Sequence, residues 1–120
     1  MDSRPKPVRW VGTSLRDLRS CPREVRIDIG HALFTAQEGG IDPTVKRLKG
    51  FGGAGVLEIV ASHRGSTWRA VYTVRFADIL YVLHVFQKKS TKGIATPTKE
   101  IELIRKRLAE AERDYRGRQN

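Results

Sequence analysis

The sequence predicts an α+β fold in which helices pack on a small antiparallel sheet. Three features lead to this prediction: two helical patterns near the N-terminus, three β-type runs in the middle of the chain, and an amphipathic helical pattern towards its end. Helices and strands are therefore segregated along the chain, as they are in α+β proteins. With 120 residues, 39% of them hydrophobic, we expect one domain with one core, spanning residues 1–120.

The N-terminal third predicts one strand followed by two helices. Residues 7–11 (PVRWV) are short, apolar-rich and compatible with an edge strand. From Ser14 to Gln37, apolar residues recur at steps of three and four, with an interruption at Cys21-Pro22 that separates two helices. Pro22 suits the first position of the second helix. Gly39-Gly40 suits its C-terminus, because glycine takes the left-handed conformation without a steric clash.

The middle of the chain predicts a connection followed by three strands. Residues 38–55 are glycine-rich and predict a loop with one helical turn over Pro43 to Leu48. The runs Val56 to Ser62, Thr67 to Phe76 and Ile79 to Gln87 then predict an antiparallel meander. Strand alternation divides the second run into a basic and an apolar face. The basic face consists of Thr67, Arg69, Val71, Thr73 and Arg75. The apolar face consists of Trp68, Ala70, Tyr72, Val74 and Phe76.

The C-terminal segment predicts an amphipathic helix. Thr96-Pro97 combines a cap with a proline suited to the first helical position. Charges of both signs alternate along the helix, as on an ordinary solvated surface, and the basic tail Arg116 to Asn120 is expected to fray. The apolar positions are Ile101, Ile104, Leu108, Ala111 and Tyr115. We expect the helices to stack on one face of the sheet and leave the other face free for binding.

The positive charge is large and locally concentrated. Lysine and arginine number 23 against 13 acidic residues, a formal net charge of +10, which predicts a polyanionic partner. Such charge suits phosphate contacts, and hence nucleic acid or the ribosome, although it can also serve solubility alone. Between Ile59 and Lys99 the only acidic residue is Asp78, and the basic ones are Arg64, Arg69, Arg75, Lys88, Lys89, Lys92 and Lys99.

Several functional classes have no support in the sequence. The chain lacks an apolar run of about 18 residues and an apolar N-terminal block, so we expect a cytoplasmic protein without a membrane span. One cysteine and three scattered histidines lack zinc-site spacing. The glycine cluster at residues 50–55 lacks the patterns of nucleotide-binding loops. We therefore predict neither a metal nor a cofactor.

Three segments resemble a known family. They are EIV at 58–60, WRAVYTVRF at 68–76 and YVLHVFQKKSTKGIATP at 81–97, together with the upstream stretch from CPREV to GVLEI. These segments are similar to the phage Gp49-like, HigB-type branch of the RelE/ParE toxin superfamily, over roughly residues 14 to 115. The resemblance implies a RelE-like fold: a small twisted antiparallel sheet with two N-terminal helices on one face, and a C-terminal helix.

The resemblance also implies a function and two partners. Family members are toxins of type II toxin–antitoxin systems, and the HigB-like ones cleave mRNA as endoribonucleases, commonly in the translating ribosome. The usual protein partner is a HigA-type helix-turn-helix antitoxin. Because the same fold hosts other activities, two alternatives stay open: a ParE-like inhibitor of DNA gyrase, and a non-enzymatic nucleic-acid-binding module.

The family's recurring polar positions can be carried over to this chain. They match Glu58, Arg69, Tyr72, Lys88 and Lys89, and Thr96-Pro97 matches the start of the last helix. Many relatives also carry arginine two residues after the strand glutamate, where this chain has Val60. That positive charge is either missing here or supplied by Arg64 or Arg75.

RNA can be cleaved without a metal, because its own 2′-hydroxyl attacks the adjacent phosphate and the protein orients the attack and stabilises the added charge. We expect Arg69 and Lys88 to contact the phosphate, with Lys89 or Lys92 as further RNA contacts. Arg69 suits a bidentate contact.

The candidates for proton transfer are Glu58, Tyr72 and His84. Each also has a structural interpretation. Glu58 could pair with Arg69 across neighbouring strands, Tyr72 could be a core residue, and His84 could be a packed side chain in an apolar run. Trp10, Trp68 and Phe86 could stack on bases or pack in the core.

Overall fold

Five strands form one sheet, flanked by helices on both faces. The computed structural model describes residues 4–52, 55–88 and 96–119. The sheet order is β1-β5-β4-β3-β2, in which β1 is parallel to β5 and the other neighbours are antiparallel. The elements are β1 (Val8–Trp10), α1 (Ser14–Arg19), α2 (Arg23–Gln37), β2 (Val45–Arg47), β3 (Val56–His63), β4 (Ser66–Thr73), β5 (Leu80–Lys88) and α3 (Thr98–Gln119). The α+β class, the central meander and the three helices are confirmed.

The prediction of one open sheet face is wrong. On one face, the core residues Val25 and Ile29 of α2 pack with Ile59 of β3. On the opposite face, Ile104 and Leu108 of α3 belong to a second core. An amphipathic helix must bury its apolar stripe, and this face offers further apolar positions to cover. They include Val56, Val71, Tyr81 and Leu83.

The segment predicted as a helical turn forms β2 instead. Val45, Lys46 and Arg47 pair with β3, in register with Ile59, Glu58 and Leu57. The Asp42 carboxylate accepts a 2.9 Å hydrogen bond from the backbone N–H of Thr44 and turns the chain into the strand. Pairing along the edge of β3 satisfies backbone groups that a single helical turn would leave open.

Two other boundaries differ from the sequence prediction. β4 ends at Thr73, so the alternation predicted as far as Phe76 breaks, and Phe76 joins the core under α3. The basic tail predicted to fray is helical as far as Gln119, where α3 ends. Its last turns carry i,i+4 ion pairs that support a helix. These pairs are Glu112 with Arg116 and Asp114 with Arg118.

A bulge in β5 turns neighbouring residues towards α3. Val71 pairs with His84 and the next residue of β4, Tyr72, pairs with Val82, so Leu83 is the extra residue. Leu83 is in the core under α3, and His84 contacts side chains of α3. Strict alternation along β5 would have placed the two side chains on opposite faces.

Candidate functional site

Four adjacent strands each contribute one charged side chain to the α3 side of the sheet. They are Lys46 of β2, Glu58 of β3, Arg69 of β4 and Lys88 of β5. We call this group the Glu58 cluster. Glu58 and Arg69 are each paired with a strand on both sides, whereas Lys46 lies on the edge strand and Lys88 pairs with β4 alone. A rigid scaffold of this kind can hold charged groups in a defined geometry.

Glu58 is fully buried and engaged through both carboxylate oxygens. Arg69 Nη1 donates to Oε1 at 2.7 Å, and the Thr96 hydroxyl donates to Oε2 at 2.9 Å. Lys46 Nζ lies 3.8 Å from Oε1. Of the two roles considered for Glu58, these contacts fit the charge partner of Arg69, since both carboxylate oxygens already accept hydrogen bonds.

The cluster has more positive than negative charge. Its four side chains include three cations and one carboxylate, and Arg69 and Lys88 are only 5% and 8% exposed. Burial, and the nearby charges of Arg69 and Lys46, lower the pKa of Lys88. Arg69 Nε is buried without a hydrogen-bond partner among the residues that the structure describes. Buried positive charge of this kind favours an anionic ligand.

A cavity of about 310 Å³ lies beside the cluster, between β2, β3 and the start of α3. Its walls combine apolar side chains with basic ones. The described residues that line it are Lys46, Arg47, Leu48, Lys49, Glu58, Thr96 and Ile101. Because Lys46 and Glu58 belong to both features, the cavity opens directly onto the charged cluster.

Tyr72 does not join this cluster, although the family resemblance suggested it as a catalytic residue. It is fully buried in the core on the α2 side of the sheet. Its hydroxyl has no hydrogen-bond partner in the described part of the chain, and burial raises its pKa to about 12. The alternation of β4, which the sequence already shows, explains why Tyr72 and Arg69 lie on opposite faces.

His84 is packed into a hydrogen-bonded network. Its Nε2 lies 2.7 Å from Glu100 Oε2, and its Nδ1 lies 3.3 Å from Arg107 Nη1. Because arginine only donates, Nδ1 is the acceptor and the proton of the neutral ring lies on Nε2, facing Glu100. Burial lowers the pKa of His84, which also favours the neutral ring. Phe86 stacks on the ring at 4.8 Å between centroids.

Arg107 is buried, although the charge pattern predicted a solvated helix. Its guanidinium donates to the carbonyl of Leu83 at 3.0 Å and to the hydroxyl of Thr13 at 3.1 Å. Gly12, with φ +57°, leaves the space it needs: a Cβ there would lie 2.8 Å from Arg107 Nε. Charge alternation does not reveal which charged residue of a helix points at the sheet.

The remaining predicted residues lie away from the cluster or outside the described residues. Arg64 is exposed in the turn between β3 and β4, with φ 49°. Arg75 follows the end of β4 and lies beside Tyr115 and Arg116. Neither Arg64 nor Arg75 therefore brings to the cluster the positive charge that many relatives carry at the position of Val60. Lys89 and Lys92 lie outside the described residues.

Lys46 was not among the predicted site residues, because Pro43 to Leu48 was predicted to form a helical turn. Apolar and polar residues do not alternate over Val45, Lys46, Arg47 and Leu48, so the sequence has no clear strand signal here. Trp10 and Trp68 pack against the core on the α2 side, as the structural interpretation of these aromatic residues predicts.

None of the helices in the described residues is both long and apolar enough to span a membrane. Within residues 4–52, 55–88 and 96–119, no three histidine, cysteine, aspartate or glutamate side chains come together as a metal site would require.

Comparisons with known proteins identify a family. None of the curated proteins matches the chain. Among solved structures, a chain of the RelBE2 toxin–antitoxin complex from Mycobacterium tuberculosis is similar, with 22% identity over 71% of this chain and 100% of that one, at a TM-score of 0.47. Residues 16–109 match the family model described as phage-derived protein Gp49-like (DUF891). The chain therefore belongs to the Gp49-like family of phage-derived proteins, the family predicted from its sequence motifs.

Proposed function

We propose that this protein is the toxin of a type II toxin–antitoxin module and inhibits translation by cleaving mRNA in the ribosome without a metal. Its protein partner would be a HigA-type helix-turn-helix antitoxin. Membership of the Gp49-like family and the sequence resemblance to HigB-type toxins support this proposal. The observation that carries it is the Glu58 cluster, where three cations surround one carboxylate.

The cluster has the charge that a phosphodiester requires. In the cleavage step, the 2′-oxygen bonds to the adjacent phosphorus and the P–O5′ bond breaks, which leaves a 2′,3′-cyclic phosphate and a 5′-hydroxyl. Arg69, held at 2.7 Å by Glu58, would stabilise the negative charge that accumulates on the phosphate oxygens. A preorganised charge in a site with little water is effective because it does not have to reorient during the reaction.

Lys88 is the group we assign to proton transfer. Glu58 is fully buried with both oxygens bound, and Tyr72 lies on the other face of the sheet. Both nitrogens of His84 are engaged. Burial and the charges of Arg69 and Lys46 lower the pKa of Lys88, so this amine gives up its proton more readily than an exposed lysine and, when neutral, can accept the 2′-hydroxyl proton. The resulting ammonium would then add to the charge stabilisation, and the departing 5′-oxygen would take up a proton from water.

The test is to map the 5′-ends of cellular mRNA after a short pulse of expression. We expect new ends that follow reading frames with the wild type, and none with Arg69→Ala or Lys88→Ala. Lys106→Ala, which changes an exposed lysine of α3, is the matched control and should cleave like the wild type. Each variant is checked for folding by circular dichroism. Unchanged cleavage by folded Arg69→Ala and Lys88→Ala would show that the site is wrong.

Other outcomes would favour the alternative functions. Growth arrest without new mRNA ends, combined with loss of DNA supercoiling, would indicate a gyrase inhibitor. Salt-sensitive RNA binding without cleavage, with and without ribosomes, would indicate a binding module. Pull-down from native cells tests the predicted antitoxin, and the absence of a small helix-turn-helix partner would contradict the toxin proposal.

A further inference from the structure

The cavity beside the Glu58 cluster has no role in the cleavage chemistry described above. Two apolar side chains, Leu48 and Ile101, form part of its wall. Leu48 is buried in the core under α3, and Ile101 packs against that core, so the wall they form is anchored. Lys46 and Lys49 are exposed and supply positive charge at the same cavity. Apolar walls beside positive charge suit a ligand with a flat apolar part and an anionic part.

The size of the cavity restricts that ligand. A volume of about 310 Å³ is at the lower limit of small-molecule sites, which begin at about 300 Å³. A helix of a partner protein, about 10 Å across with its side chains, is too large. One nucleobase with its ribose is an appropriate size, and single-stranded RNA is recognised through bases that leave the stack.

The position of the cavity relates it to the cluster. Glu58 contributes to its lining and also holds Arg69 at 2.7 Å. Lys46 lines the cavity and lies 3.8 Å from the same carboxylate. A nucleotide whose base entered the cavity would therefore bring its own phosphate to the charged cluster.

We propose that this cavity binds one unstacked nucleobase of the RNA, next to the phosphate that is cleaved. The inference rests on the proposed function for the identity of the ligand, but it assigns a separate site. Base binding in the cavity would position the scissile phosphate and make Leu48 and Ile101 determinants of sequence preference. Cleavage rates would then differ among bases according to how well each one fits the cavity.

The experiment measures binding of the four nucleoside 5′-monophosphates to the full chain by methyl NMR, with ribose 5-phosphate as the probe that lacks a base. We expect the nucleotides to shift the methyl signals of Leu48 and Ile101, and ribose 5-phosphate to bind at least about tenfold more weakly, because it lacks the base–cavity contact. Equal affinity for nucleotides and ribose 5-phosphate would overturn the proposal and leave a phosphate site only.

A pair of variants localises the binding. Ile101→Phe narrows the cavity, and Leu103→Phe makes the same kind of change at another half-buried position of α3. We expect Ile101→Phe to weaken nucleotide binding about tenfold or more and Leu103→Phe to leave it unchanged. If Ile101→Phe does not fold, Lys49→Glu tests the exposed rim, with Lys106→Glu as its control. Nucleotide binding that survives both Ile101→Phe and Lys49→Glu would overturn the proposal.

The two proposals can fail separately. Nucleotide binding in the cavity without mRNA cleavage by the wild type would contradict the proposed function and leave the base site in place. Cleavage by Ile101→Phe at the same positions and rates as the wild type would contradict the base site alone. Displacement of the nucleotides by an equal concentration of a poly-glutamate peptide would assign the cavity to an acidic protein segment, which also overturns the proposal.

Discussion

The two faces of the sheet bury different types of side chain. The face covered by α2 is largely apolar, with Val25, Ile29 and Ile59 wholly buried. The face covered by α3 also has an apolar core, but it buries Glu58, Arg69, Lys88, His84 and Arg107 as well. Burying charges costs free energy even when they are paired. The α3 face therefore retains groups that packing alone would not require, which is where a functional site is expected.

Separating the charges of the α3 face should give the largest loss of stability. Glu58→Ala leaves the guanidinium of Arg69 buried without its 2.7 Å partner, so we expect the free energy of unfolding to fall by about 3–5 kcal/mol. Urea denaturation measures the loss. Ile29→Ala on the α2 face should cost a comparable amount, about 2–5 kcal/mol, through its cavity.

The double variant Glu58→Met/Arg69→Met tests whether the unpaired charge of Arg69, and not lost packing, causes the instability of Glu58→Ala. It removes the Glu58–Arg69 ion pair as a unit and restores apolar packing, so we expect a smaller loss of stability than in Glu58→Ala and no mRNA cleavage. A double variant as unstable as Glu58→Ala would contradict this account of the face.

The Arg107 network should give the second largest effect. Arg107→Leu removes the 3.0 Å donor to the Leu83 carbonyl, and an unsatisfied buried acceptor costs about 1–3 kcal/mol. Its neighbour Lys106 is exposed, so Lys106→Leu should change stability by less than about 0.5 kcal/mol. Urea denaturation of both variants is the measurement, and equal losses would show that Arg107 acts as a solvated residue.

A pH series should test the buried polar groups of the α3 face through the titration of His84. Its pKa is below 6.5 in the folded protein because of burial, so the unfolded chain binds more protons between that lower pKa and 6.5. The contribution of His84 to stability should therefore be constant above about pH 6.5 and decrease as the pH falls below it. His84→Gln, which can still donate to Glu100, should remove this part of the decrease in urea titrations between about pH 5 and about pH 7.5. An unchanged slope in the variant would contradict the prediction.

The smallest effect is expected on the α2 face. Tyr72→Phe removes a buried hydroxyl without a partner among the described residues, so stability should change by less than about 0.5 kcal/mol and mRNA cleavage should persist. Tyr81→Phe is the matched comparison, because that hydroxyl donates to Asp114 at 2.6 Å, and its loss should cost about 0.5–1.5 kcal/mol. Loss of mRNA cleavage in folded Tyr72→Phe would show that the Tyr72 hydroxyl, on the α2 face, takes part in cleavage, and would contradict the site described above.

Much of the candidate site could be predicted because strand neighbours follow from short-range patterns. Alternation placed Arg69 and Tyr72 on opposite faces, and the meander brought Glu58 next to β4. The pairing of Glu58 with Arg69 is present, as one of the two interpretations of Glu58 expected. Lys46 was missed because a three-residue edge strand in a glycine-rich stretch has little signal of its own.

The class of fold, the order of helices and strands, and the family could be predicted from the sequence alone, because these depend on local periodicity and on motifs contiguous in the chain. The face that α3 covers, the charges of α3 that are buried, and the residue that completes the Glu58 cluster follow from the tertiary packing. Arg107 meets Leu83, and Lys46 meets Glu58, only after segments distant in sequence have packed. Such contacts depend on three-dimensional distance and burial, which a linear pattern of residue types does not specify.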